Sequence, residues 1–142
     1  MATDSLAGYS GTPLAKKLGI TEGGRVRLVN APAKLPEALQ AHAASRLEND
    51  LDIVLLFADS LASYKQHFAR WMYAIHSDGV VWVAWPKKAS GVPTDLTEAL
   101  VRSFALTTPF VDVKVCAIDA IWSGLKFVVR KELRPSFAAV QG

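Results

Sequence analysis

The sequence predicts an α/β domain on a mostly parallel five-stranded sheet, and three patterns indicate it. Residues 52–58 and 80–85 are nearly continuous apolar runs, which is typical of strands buried on both faces of a sheet. Residues 60–75, between them, repeat apolar side chains every three or four positions, the pattern of an amphipathic helix. Residues 111–118 and 125–131 have the pattern of a closing hairpin. Strands that alternate with helices favour parallel pairing through right-handed crossovers.

The first elements follow from capping and turn signals. Thr12 and Pro13 suit the cap and first position of a short helix, which Gly19 ends in a left-handed conformation. Residues 25–29 alternate polar and apolar side chains, which predicts a strand with one wetter face. Residues 35–47 carry an apolar stripe and are predicted to be helical.

The later elements follow from the same signals. Ser60 is predicted to cap the long helix, and Asp78-Gly79 to turn the chain into the next strand. Thr94 or Asp95 is predicted to cap the following helix, where Asp95 and Glu98 have capping-box spacing. On the long helix we expect the apolar stripe to be buried and two charged residues to be exposed. The buried set is Leu61, Phe68, Trp71 and Ile75, and the exposed set is Lys65 and Arg70.

Together these elements predict a shortened Rossmann-like, methyltransferase-like three-layer sandwich. The C-terminal strand is expected to run antiparallel beside its predecessor, which is similar to the C-terminal half of the Rossmann-like methyltransferase fold. Residues 8–134 are predicted to form this single domain. Residues 1–7 are predicted to be a flexible N-terminal tail, and residues 135–142 a C-terminal tail.

Composition excludes several classes of protein. With 51% hydrophobic and 20% charged residues among 142, the chain is globular rather than disordered. It has no apolar run near the roughly 20 residues of a membrane span and no signal-peptide core, so we expect no membrane association. The single cysteine, Cys116, excludes an internal disulfide and suits the cytoplasm. A net charge of +3 is too small to indicate a nucleic-acid partner.

The loop after the third strand is the candidate ligand site. Open α/β sheets bind ligands at the carboxyl ends of their strands, and a helix N-terminus beside lysines attracts phosphate or carboxylate. The candidate ligand-binding residues are Trp85, Lys87, Lys88, Ser90, Gly91, Thr94, Asp95 and Trp122. The two tryptophans either wall this pocket or fill the core. The alternative is a solvated loop in which Thr94 and Asp95 only cap a helix.

A second glycine-bearing loop, residues 8–12, precedes Lys16 and Lys17 and loosely resembles a phosphate cradle. It lacks the Gly-Lys-Ser/Thr ending of a P-loop and follows no predicted strand. An N-terminal arm that packs Tyr9 against the domain is the simpler interpretation.

Cofactor, metal and catalytic sites are not indicated. A methyltransferase or dinucleotide fold needs glycines after its first strand, so that the backbone can approach the cofactor, and residues 29–32 contain none. The three histidines show no zinc spacing. Cys116 has no obvious base beside it, which favours an inert buried thiol. We therefore predict no cofactor, no metal and no catalytic residue.

Several longer motifs resemble one family. They are residues 8–20 (GYSGTPLAKKLGI), 28–32 (LVNAP), 85–88 (WPKK), 94–97 (TDLT), 113–116 (VKVC) and 122–126 (WSGLK). From residue 8 to residue 131 the chain resembles the bacterial domain of unknown function 3052. This resemblance implies a small bacterial cytoplasmic protein, and it supplies no catalytic residues.

Two hypotheses about function remain. The leading one is a non-catalytic binding or regulatory module that recognises a small anionic ligand or a protein partner, a second copy of the chain included. The rival is an enzyme acting on an anionic metabolite, a degenerate methyltransferase-like fold, with Lys87 or Lys88 as electrophile and Asp59 or Asp95 as base. The sequence has no nucleophile and base at a recognisable spacing, which favours the binding module.

Overall fold

A computed structural model describes residues 13–141 of the chain and the side chains of residues 13–137. The strands are β1 (Val26–Val29), β2 (Leu51–Phe57), β3 (Ile75–Pro86), β4 (Phe110–Ala117) and β5 (Trp122–Val129). The helices are α1 (Leu14–Leu18), α2 (Glu37–Gln40), α3 (Leu61–Trp71), α4 (Glu98–Ala105) and α5 (Arg134–Gln141), with short 3-10 helices at Lys88–Ser90 and Lys131–Leu133.

The five strands form one mixed sheet in the order β1-β2-β3-β5-β4. β1, β2 and β3 pair in parallel, whereas β5 pairs antiparallel with both β3 and β4. β4 therefore runs in the same direction as the first three strands, and β5 is inserted between two strands of opposite direction. The predicted α/β class with a five-stranded sheet is confirmed, and both apolar strands, β2 and β3, lie inside the sheet.

The side chains of β2 and β3 contribute to two apolar layers, because both strands are apolar on both sides. Val54 and Leu56 point to one side, which α3, α4 and α5 cover, and we call it the α3 face. Ile53 and Leu55 point to the other side, where α1 and α2 pack, and we call it the α1 face. Helices on both faces give the predicted layers around one sheet.

Aromatic rings packed edge to face dominate the α3 face. The ring centroid of the fully buried Phe68 lies between 5.4 and 6.2 Å from those of four other aromatic residues. These are Tyr64, Phe104, Phe110 and Phe127. Trp71 and Ile75 are also buried while Lys65 and Arg70 are exposed, as predicted, although Leu61 is only half-buried. The Ser60 cap is confirmed, since its hydroxyl accepts the N–H of Ser63 at 3.1 Å.

β3 begins earlier than predicted, which makes two predictions wrong. α3 ends at Trp71, and Asp78-Gly79 lies inside the strand instead of forming a turn. The register between β2 and β3 shifts here. A Cβ on Gly79 would lie 2.7 Å from the Cβ of Ile75 and 2.9 Å from the carbonyl oxygen of Leu51. The glycine is therefore required by the close approach of the chain at a bulge.

The helix predicted for residues 35–47 is mostly absent, since α2 covers only Glu37–Gln40. Two arginines, one just before β1 and one in it, hold the chain that follows α2. Arg25 donates to the carbonyls of Asp50 and Asn49, and Arg27 donates to that of Leu47. These bonds hold residues 47–50 beside β1, which helix periodicity alone does not reveal.

The predicted C-terminal tail is instead a docked helix. Phe137 of α5 is 3% exposed, and its ring stacks on Tyr73 at 5.1 Å and meets Phe110 edge-on at 5.8 Å. Pro135 suits the first turn of a helix, where its missing N–H costs nothing. The predicted N-terminal tail, the loop at residues 8–12 and the Thr12 cap lie outside the described residues. Gly19 ends α1 with φ of 81°, as predicted.

Asp52 links the amino ends of three strands. One carboxylate oxygen accepts the backbone N–H of Arg25 at 2.8 Å, and the other lies 2.8 Å from Nε2 of His76 in β3. Nδ1 of His76 accepts the N–H of Asp78, so the neutral ring carries its proton on Nε2 and donates it to Asp52. The Arg25 N–H and the His76 ring hold the pKa of Asp52 below its usual 3.8.

Phe68→Ala should lower the free energy of unfolding by about 3–5 kcal/mol, because it removes a fully buried ring from the aromatic cluster. Urea denaturation measures the loss. The exposed Gln66 on the same helix supplies the control, and Gln66→Ala should change stability by less than about 0.5 kcal/mol. A loss under about 1 kcal/mol for Phe68→Ala would show that the cluster does not hold the core together.

Asp52→Asn should make the folded state less sensitive to acid. Since the folded pKa of Asp52 is lowered, its carboxylate stabilises the fold above the unfolded pKa, and this contribution disappears as the pH falls through the folded value. The stability difference between the parent and Asp52→Asn should therefore shrink between about pH 5 and about pH 2. Urea midpoints at each pH test this, and a constant difference would contradict it.

Candidate functional site

Four segments meet at the carboxyl ends of the strands. They are the turns after β1 and β2, the long loop from β3 to α4, and the β4–β5 turn. The β3–α4 loop is tied to the β4–β5 turn, since the backbone N–H of Lys87 donates to the carbonyl of Ile121 at 2.7 Å. This is the edge at which the sequence places the candidate ligand site.

The first half of the β3–α4 loop is braced by Ser90. Its hydroxyl donates to the carbonyl of Lys87 at 2.6 Å and accepts the N–H of Val92 at 3.2 Å. Gly91 has φ of 77°, and a Cβ there would meet no atom within 4 Å. The left-handed backbone therefore favours glycine at this position. Crowding by neighbouring atoms plays no part. Both residues shape the loop rather than an open cavity.

The second half of the loop corrects the predicted caps. α4 begins at Glu98, and Thr97 is its N-cap, whose hydroxyl accepts the N–H of Leu100 at 3.1 Å. Thr94 accepts the N–H of Leu96 at 3.0 Å. The predicted cap by Thr94 or Asp95, and the capping box with Glu98, are therefore wrong.

Asp95 caps a different helix, α3. Its Oδ1 accepts the N–H of Leu61 at 2.8 Å, next to the Ser60 cap of the same helix. A helix N-terminus attracts negative charge, and here the chain supplies that charge itself. Asp95 thus joins the β3–α4 loop to α3 across 34 residues of sequence.

The two tryptophans do not wall one pocket. Trp85 belongs to the core of the α3 face and is 6% exposed. Trp122 packs against the core of the α1 face, edge-on to Phe57 with ring centroids 5.1 Å apart. Since successive residues of a strand alternate, Trp85 faces Ser123 in the register and Trp122 faces Pro86. The two indoles therefore lie on opposite faces of the sheet, with Trp85 buried in one core and Trp122 half-buried against the other.

The side chains of Lys87 and Lys88 take no part in the hydrogen bonds that brace the loop. Lys87 is half-buried and Lys88 is exposed. The ion pairs found among residues 13–137 are His76 with Asp52 and Arg102 with Glu98 and Asp112, so neither lysine takes part in one. The braced loop therefore presents two adjacent cations at the carboxyl edge of the sheet.

Asn30 closes the end of β1, where a nucleotide-binding fold has its glycines. It adopts φ of 57°, and its side-chain amide donates to the carbonyl of Phe57 at 2.9 Å. The amide thus ties the ends of β1 and β2 together, and Asn is one of the few non-glycine residues that tolerate this backbone.

Tyr64, Cys116 and Asp52, three ionisable groups with altered pKa, lie on different elements. Burial raises the pKa of Tyr64, whose hydroxyl donates to the carbonyl of Val101 in the core, and burial raises the pKa of Cys116 on β4. Asp52 lies at the opposite end of the strands. Over the described range no three His, Cys, Asp or Glu side chains are grouped as metal ligands. Each helix within residues 13–141 is too short or too polar to span a bilayer.

Comparisons with known proteins found only weak similarity, and only to solved structures. No family model matches the chain, and no curated protein matches it. Among solved structures, a LepI complex with SAM has 10% identity and a TM-score of 0.46, covering 91% of this chain and 46% of its own. A pericyclic reaction enzyme has 12% identity and a TM-score of 0.44, covering 84% and 47%. The chain spans about half the length of both, and at these scores the likeness carries no argument about function.

Asp95→Ala should destabilise the protein by about 0.5–2 kcal/mol, because it leaves the Leu61 N–H without its partner. Asp95→Asn is the matched control and should retain most of the stability, since an amide oxygen can accept the same bond. Urea denaturation of both variants measures the effect. Equal stability of Asp95→Ala and the parent would show that Asp95 does not cap α3.

Proposed function

We propose that this chain is a non-catalytic binding or regulatory module that recognises a small anionic ligand through Lys87 and Lys88. The observation that carries the proposal is the braced β3–α4 loop, on which these lysines have no ion-pair partner among the described residues. A loop whose backbone is already held loses little entropy when it binds. The lysines then supply the charge that attracts phosphate or carboxylate.

The distribution of polar groups supports binding without catalysis. Catalytic sites gather ionisable groups of altered pKa in one cleft. Here Tyr64 is in the core, Asp52 is at the amino ends of the strands, and Cys116 is on β4. The rival enzyme hypothesis needs Asp59 or Asp95 as a base beside Lys87 or Lys88. Asp95 is committed to the Leu61 N–H, which weakens that hypothesis.

The finer fold assignment belongs to the same proposal. The insertion of β5 between β3 and β4 supports a shortened, methyltransferase-like Rossmann sandwich in which the first βα turn binds no cofactor. Asn30 supports the second part, because its side chain occupies the end of β1 where glycines would admit a nucleotide. We further propose that the protein is cytoplasmic and belongs to the bacterial family of unknown function that its motifs resemble.

A thermal-shift screen of nucleotides, acyl-CoA compounds and sugar phosphates tests the proposal. A compound at 100 times its Kd should stabilise the native state by about 2.7 kcal/mol. The double variant Lys87→Ala, Lys88→Ala should fold normally and lose at least about tenfold in affinity for that compound.

The control removes the same charge elsewhere. Lys16 and Lys131 are exposed and lie outside the loop, so Lys16→Ala, Lys131→Ala should bind the compound as the parent does. Equal loss in both double variants would indicate attraction by net charge alone. Unchanged affinity in the Lys87, Lys88 variant would overturn the site.

A further inference from the structure

Among the described residues, β4 and β5 are covered more fully on the α3 face than on the α1 face, although Val115, which pairs with Leu125 on the α3 face, is 45% exposed. On the α3 face, their side chains Phe110, Leu125 and Phe127 are at most 1% exposed. On the α1 face, Val111 and Val128 lie directly opposite each other, are only half-buried and belong to neither hydrophobic core. The core under α1 and α2 is built on β1, β2 and β3, and it extends to this side only through Ile118, Cys116 and Trp122.

Two lysines share this open surface with the valines. Lys114 of β4 pairs in register with Lys126 of β5, and paired residues of antiparallel strands lie on the same face. Like charges placed directly opposite destabilise a sheet. In the described part of the chain neither lysine forms an ion pair. The arrangement therefore costs stability unless negative charge comes from elsewhere.

Cys116 of β4 lies on the same surface, where it pairs with Gly124 one step further along the strands. The surface thus combines a basic strip with an apolar patch of Val111 and Val128. We call the set Val111, Lys114, Cys116, Lys126 and Val128 the open β4–β5 surface.

We propose that the open β4–β5 surface docks an amphipathic helix of a partner protein, with acidic residues beside its apolar stripe. Sheets of α/β proteins are normally buried under helices on both faces, and the described helices leave this surface partly exposed. Apolar side chains of the partner would cover the valines, and its carboxylates would offset Lys114 and Lys126. A nucleic acid backbone would pair with the lysines but would leave Val111 and Val128 uncovered, so the apolar patch favours a helix.

Two synthetic helical peptides of about 18 residues, roughly 27 Å long, test the proposal. Both carry the same leucine stripe, which glutamates flank in one and lysines in the other. The full chain should bind the glutamate peptide only, as measured by fluorescence anisotropy. The variant Lys114→Glu, Lys126→Glu should bind the glutamate peptide at least about tenfold more weakly and acquire affinity for the lysine peptide.

Two further variants keep the result interpretable. Lys114→Gln, Lys126→Gln removes the repulsion between the lysines, so it should fold and should weaken binding of the glutamate peptide without creating binding of the other. Lys65→Glu, Arg70→Glu, on the exposed side of α3 across the sheet, changes the net charge as much as the first reversal does and should bind as the parent does. Equal effects of both reversals would overturn the proposal.

Cys116, the single cysteine, reports where the peptide binds. Saturating glutamate peptide should slow alkylation of its thiol by N-ethylmaleimide several-fold, because the thiol lies on the open β4–β5 surface. No protection, or a free chain already as protected as the complex, would overturn the proposal. The Lys87→Ala, Lys88→Ala variant should bind the glutamate peptide unchanged, which separates this inference from the proposed anion site.

Discussion

Burial of β2 and β3 on both faces is the constraint from which the rest of the fold follows. Val54, Leu56 and Val81 have no exposed surface on the α3 face, and Phe57, Trp82 and Ala84 have none on the α1 face. Alternate residues of these strands point to opposite sides, so a single layer of helices could not cover them. Each square ångström of apolar surface removed from water contributes about 25 cal/mol, which favours helices on both sides of the strands. Burial on the two faces produces two cores. The aromatic cluster around Phe68 lies on the α3 face, and the smaller core around Trp82 lies on the α1 face.

Helix capping and anion binding both depend on backbone N–H groups that donate to an oxygen. In the β3–α4 loop and at the start of α3, the acceptors are side chains of the protein itself. Ser90, Thr94 and Asp95 all accept backbone N–H groups, and Asp95 brings a negative charge to the start of α3. These bonds make the β3–α4 loop a defined structure. Among the described residues Lys87 and Lys88 form no ion pair, which is why the functional proposal rests on them.

The two edges of the sheet are protected in different ways. At β1, Arg25 and Arg27 donate to carbonyls of residues 47–50, which holds that segment beside the strand. β4 carries a bulge between Asp112 and Lys114 and a charged residue there, both of which hinder pairing with another strand. The open surface of this half of the molecule is therefore a face of the sheet, suited to a helix, more than an edge suited to a strand.

The sequence by itself determined the fold class, because the signals for it are local. Uninterrupted apolar runs identify β2 and β3, the stripe of α3 identifies its buried side, and Ser60 marks its start. The sequence also identifies Lys87 and Lys88 as candidate ligand-binding residues, because they come directly after a central strand. Only the tertiary structure decided the partners of Asp95, the role of Gly79, the docking of Phe137 and the opposite faces of Trp85 and Trp122. Each of these depends on contacts between residues distant in sequence or on strand register, and local propensity carries no information about either.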